Sequence, residues 1–163
     1  MKTTHLLLIA ALTLPFLAAC KKDEAAAPVA TQGAAVPAPT TSDETAWNAY
    51  LTDVVKRNLD GAFSTYVYTL PAADTPDFQG YYDRQLEKAL GDVQRGGVEG
   101  TLLAFGSPNS GKSADLAVAA FTKAAPGSMK GVKVIFIGDA ADKDRVEAAV
   151  KPSGGNFQFV EAK

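Results

Sequence analysis

The sequence predicts an α/β domain, a small, mostly parallel four-stranded sheet flanked by helices and carried behind a disordered tether. Two observations carry this. Residues 100–105 (GTLLAF) and 132–137 (VKVIFI) are short, continuously apolar runs, as expected of central strands buried on both faces. Strand-like and helix-like segments alternate along the chain, an order that calls for right-handed crossovers joining parallel strands.

The elements follow in order. Thr41-x-x-Glu44 has capping-box spacing, and Trp47, Tyr50, Leu51, Val54, Val55 and Leu59 recur at helical intervals before Gly61. Residues 62–70 (AFSTYVYTL) are β-branched and aromatic and stop at Pro71, which predicts the first strand. Thr75-Pro76 places an N-cap before a proline at the first helical position, and Phe78, Tyr82, Leu86, Ala89, Leu90 and Val93 form one face of a second helix. After the strand at 100–105, residues 110–124 read as a third helix closed by Pro126, and 142–150 as a shorter fourth. Residues 156–162 (NFQFVEA) alternate as a half-exposed edge strand does. No internal repeat is present, and the length fits one domain over residues 42–163.

The amino-terminal segment has a different grammar. Lys2 precedes an uncharged run of about fourteen residues, 6–19, which reads as the n-region and h-region of a secretory signal. It is too short to span a bilayer, which takes roughly 20 apolar residues, and Pro15 interrupts it. Leu17-Ala18-Ala19-Cys20 closes this run with small residues before the chain's one cysteine. These four residues resemble the lipobox of bacterial lipoproteins. The resemblance implies that residues 1–19 are a cleaved signal peptide, that the Cys20 thiol receives a diacylglyceryl group, and that the new amino terminus can take a further chain such as palmitate. Each buried methylene contributes about 0.8 kcal/mol and a single chain holds only marginally, so two or three chains give a stable membrane anchor. Lys21 stands where some inner-membrane lipoproteins of enteric bacteria carry Asp, so the resemblance points to the outer membrane, facing the periplasm.

Removal of the signal strips the chemistry. His5 is the one histidine of the chain and lies within it. The mature protein therefore has no imidazole for a Ser-His-Asp triad, for metal ligation or for acid-base work. With Cys20 acylated, no thiol remains for disulfides, zinc or iron-sulfur chemistry. Losing Lys2 leaves fifteen basic against eighteen acidic residues, a net charge of −3, with no basic stripe of the kind nucleic acid requires.

Between anchor and domain, residues 21–45 (KKDEAAAPVATQGAAVPAPTTSDET) are Ala-, Pro- and Thr-rich and hold almost nothing large and apolar. The lipidated cysteine and tether, 20–41, are expected to be disordered or partly polyproline-like, with an extended limit of the 21–45 stretch on the order of 80 Å at ~3.1 Å per residue.

One motif looks like chemistry. Gly106-Ser107-Pro108-Asn109-Ser110-Gly111-Lys112-Ser113 matches G-x-x-x-x-G-K-[ST] between an apolar strand and a helix. It resembles the phosphate-binding loop of P-loop NTPases. That resemblance implies an anion site at Gly106, Ser110, Gly111, Lys112 and Ser113, with Lys112 on the outer phosphates, Ser113 on a metal ion and Asp139 as the candidate second acid. The same residues also read as a strand-to-helix turn capped by Asn109 or Ser110. Three features put the turn first: only fifty residues follow Ser113, Gly138 separates Asp139 from its strand, and an exported protein meets little nucleoside triphosphate. The intermediate possibility is a site for phosphate, a phospholipid headgroup or an acidic glycan.

Other clusters read as structure. Asp139, Asp142 and Asp144 suit helix capping and a first turn better than a cation site, because the EF-hand glycine and terminal Glu are missing. Tyr66, Tyr68, Tyr81, Tyr82 and Trp47 could line a glycan groove, but aromatics at these spacings are expected chiefly in the core. No cofactor and no catalytic residue is assigned. The function expected is therefore that of a lipid-anchored cell-envelope protein whose non-catalytic domain binds a partner protein or an envelope component such as peptidoglycan. The alternative is a phosphate-, anion- or nucleotide-binding domain, or a hydrolase, that uses the 106–113 turn.

Overall fold

The computed structural model describes residues 33–163. Cys20, the signal segment and most of the tether lie outside the described residues, as does His5. No helix among the described residues is long and apolar enough to cross a membrane.

Four helices and four strands alternate: α1 (Glu44–Arg57), β1 (Ser64–Tyr68), α2 (Phe78–Gln94), β2 (Thr101–Gly106), α3 (Ser110–Phe121), β3 (Lys133–Gly138), α4 (Ala140–Val150) and β4 (Asn156–Glu161), with a single 3-10 turn at Lys151–Ser153 before β4. The strands form one all-parallel sheet in the order β1-β2-β3-β4. This is the α/β class expected from the two apolar runs, and those runs are the central strands.

The strand order determines how the helices are shared between the faces. When each strand lies beside its predecessor, crossovers of one hand lay all their helices on the same face. Tyr68, Leu103, Phe105, Val134 and Phe136 accordingly pack under α2, α3 and α4, through Ala89, Val93, Leu116, Ala117, Phe121, Val146 and Val150. The other face, with Leu102, Ala104, Ile135 and Ile137, has only α1, which buries Trp47, Tyr50, Leu51, Val54 and Val55 against it. Each such side chain taken fully out of water contributes roughly 1.5–3 kcal/mol, so α1 is the cover this face depends on.

Two helix starts differ from the sequence expectation. Asp43, not Thr41, caps α1 by accepting from the Ala46 amide at 2.7 Å; the Thr41 carbonyl instead accepts from Trp47 Nε1 at 2.9 Å. The helix α2 begins at Phe78 rather than at Pro76. Asp77 takes a left-handed conformation (φ 59°) ahead of it, and the Phe78 amide closes a turn on the Thr75 carbonyl.

Residues 33–42 also depart from the picture of a tether free up to residue 41. They lie along α1: Arg57 donates to the Gly33 carbonyl at 2.6 Å, the Val36 amide donates to Asp53 Oδ2 at 3.0 Å, and the Ala38 amide to the Lys163 carbonyl at 3.3 Å. Ala38 packs against the α1 side of the core. Composition alone misses this, because the segment is held by its backbone and not by large side chains. Asp53 and Arg57 are paired at 2.6 Å, one helical turn apart, and together they bind two backbone groups of the strap.

Candidate functional site

The strand β2 runs directly into the P-loop-like sequence, and only Ser107, Pro108 and Asn109 separate it from α3. Several polar groups there have local partners. Ser107 Oγ donates to the Asn109 carbonyl at 3.0 Å and accepts from the Asn109 amide at 3.2 Å. Asn109 is the N-cap of α3, its Oδ1 accepting from the Lys112 amide at 3.0 Å, while the Ser113 amide bonds the Asn109 carbonyl at 3.0 Å. A phosphate cradle needs those amides to point at the ligand; here the Asn109, Lys112 and Ser113 amides are spent on the turn and the first helical bond.

The side chains follow the same pattern. Ser113 is buried and its hydroxyl bonds Ser107 Oγ at 2.8 Å. Packing under the turn takes it inward. Lys112 extends along its own helix to Asp115, 3.4 Å away. Burial pushes the Asp115 carboxyl up, but the Arg145 hydrogen bond and charge, with Lys112 beside it, outweigh that and hold it below the usual carboxylate range. Arg145 is 2.6 Å from Asp115, 2.7 Å from Asp142 and 2.8 Å from the Gly111 carbonyl, so it ties the starts of α3 and α4 together.

Ser110 makes the same tie at closer quarters. Its hydroxyl donates to Asp142 Oδ2 at 2.6 Å and accepts from the Asp139 amide at 2.8 Å. Gly138 leaves room for this: a Cβ there would lie 2.5 Å from Ser110 Oγ. Asp139 sits at the N-cap position of α4 with no side-chain capping bond, and its carboxylate is not gathered with those of Asp142 and Asp144. Asp142 is committed to Ser110 and Arg145. Gly106 ends β2 pressed against Leu51 and Ile137.

Beside this turn lies a cleft of about 510 Å³. It opens between the start of α1, the chain leaving β1 and the first turns of α2, with Pro108 of the turn on its edge. Parallel α/β sheets present ligands at the carboxyl ends of their strands, and Thr69 and Pro108 come from just beyond those ends. Trp47, Leu70, Pro71 and Tyr81 supply apolar wall; Trp47 and Leu70 are buried, whereas Tyr81 is 45% exposed. Asp43, Glu44 and Asn48 of α1 face Thr75 and Gln85 across it. Gln85 Oε1 is buried without a hydrogen-bond partner, a state few native polar atoms tolerate. Among the described residues, no Lys or Arg side chain lines the cleft. Arg84 stands over the Tyr81 ring at 4.7 Å and pairs with Asp77 at 3.7 Å.

Of the aromatics named from sequence, the fold divides the set. Tyr68 is in the core, stacked on Phe105 at 4.7 Å; its phenol is pushed far up by burial and then by the hydrogen bond to Asp92 at 2.6 Å. Tyr82 packs against the same core from its margin. Tyr66 is exposed beside Val98 near the outer edge of β1. Only Trp47 and Tyr81 meet in the cleft. Asp43, Asn48 and Gln85 carry no sequence signal of a site, because they converge only when α1 is laid across the end of β1.

Comparison with known proteins adds no relative. No protein-family description, no curated protein and no solved structure matches this chain.

Proposed function

We propose that this chain is a lipid-anchored protein of the cell envelope, attached through Cys20 to the outer membrane and facing the periplasm. Its α/β domain binds, without catalysis, a partner protein or envelope component. The observation that supports this best is the cleft at the carboxyl end of the sheet, walled by Trp47 and Tyr81 and fringed by polar side chains. Its position suits the task. The strap reaches Gly33 beside Arg57, at the far end of α1 from the cleft, a distance of about 20 Å at 1.5 Å per residue. A domain tethered from that end presents its cleft at the opposite pole. The competing anion reading at Gly106, Ser110, Gly111, Lys112 and Ser113 fares less well, since the Lys112 amide bonds Asn109 and the Ser110 and Ser113 hydroxyls bond Asp142 and Ser107.

The test is photo-crosslinking in intact cells. A crosslinking residue at Tyr81 is expected to give a discrete envelope adduct, and the same residue at Phe63, exposed at the other end of the sheet, is not. The adduct should vanish when Ala72→Trp fills the cleft and persist in Lys112→Ala. Loss of the adduct in Lys112→Ala, with Ala72→Trp indifferent, would overturn the cleft in favour of the turn.

A further inference from the structure

We propose that the cleft is a site for a primary ammonium carried on an apolar stem, as a lysine side chain of a peptide or a free polyamine presents it. This rests on the reading of the cleft as the binding site and names its ligand class. The charge pattern carries the argument. Asp43 and Glu44 stand at the cleft, and among the described residues no Lys or Arg lines it. Asp43 spends one carboxylate oxygen on the Ala46 amide and keeps the other. An anion would meet two carboxylates there, and a cation would meet their attraction; the nearest guanidinium, Arg84 on the Tyr81 ring, is paired with Asp77.

The walls supply the second half of the fit. Leu70, Pro71 and Trp47 offer apolar surface for a methylene stem, while an aromatic ring face attracts a cation. The space, about 510 Å³, falls within the usual range for small-ligand sites.

Trp47 is the only tryptophan of the chain, so its fluorescence reports the cleft directly. The experiment titrates the full-length lipidated protein in detergent micelles at pH 7 with a blocked Ala-Lys-Ala tripeptide, spermidine, chitotriose and inorganic phosphate. Saturable emission change is expected with both amines, weakened at least tenfold in the Asp43→Asn/Glu44→Gln double variant and reduced by added salt. Asn caps a helix as well as Asp does, so the variant removes charge and keeps α1; its unchanged melting temperature checks this. Tighter binding of the tripeptide identifies a protein source, and tighter binding of spermidine a free amine. The proposal is overturned if amines leave Trp47 unmoved, if their affinity ignores the double variant, or if chitotriose or phosphate binds instead. A Tyr81 adduct in cells without amine binding would leave the cleft as the site and discard the ammonium; loss of both would discard the cleft as well.

Discussion

Ser110 shows how much one hydroxyl can organise. It is 8% exposed, and it joins the beginning of α3 to the beginning of α4 by donating to Asp142 and accepting from the Asp139 amide. Its removal leaves a backbone N–H and a carboxylate oxygen short of a partner in a part-buried site. Ser110→Ala is expected to cost about 1–3 kcal/mol of unfolding free energy, measured by urea denaturation, while Ser107→Ala and Lys112→Ala shift it less. An equal loss from Lys112→Ala would contradict this ranking. None of it was legible in the sequence, because the partners lie 29 and 32 residues away. What the sequence did offer was the local chemistry of a cap, and Asn109 fills that position with its side chain on the Lys112 amide.

At the scale of elements, α1 and the strap beneath its name of tether behave as one unit. Asp53 ties them: its carboxyl is held below the usual range by the Arg57 hydrogen bond first and the Val36 amide second. A carboxylate whose pKa is lower in the folded state adds stability above its unfolded value, near 4, and loses it as pH falls through the folded value. The strap contact is therefore expected to be intact at neutral pH and to release in acid below about pH 4. The amide chemical shift of Val36, followed by NMR from pH 7 to pH 2, checks this; a shift that titrates identically in Asp53→Asn would contradict it. The periodic apolar faces of α1 and α2 made those helices readable from sequence. Their starts were less so, since Thr41 gives its carbonyl to the indole of Trp47 and Asp77 adopts a left-handed turn, both decided by tertiary packing.

At the scale of the whole molecule, the sheet has two unlike ends and two unlike faces. Three helices cover one face and α1 alone the other. The class was legible because GTLLAF and VKVIFI have no polar face to expose; the strand order was not, because it depends on which strands the crossovers set side by side. The cleft was legible only in its aromatics, Trp47 and Tyr81. If Cys20 carries the proposed lipid, docking of the strap also limits the reach from it: the twelve residues between Cys20 and Gly33 span at most about 45 Å when fully extended.

Retention of the protein in the membrane tests this account most directly. Washed membranes from cells making the wild-type chain should keep it through high salt and carbonate and release it in detergent. The Cys20→Ser variant should be absent from the same membranes, because the acyl chains are the only anchor invoked. Finding Cys20→Ser retained as firmly as wild type would contradict the lipid anchor, and with it the orientation that presents the cleft.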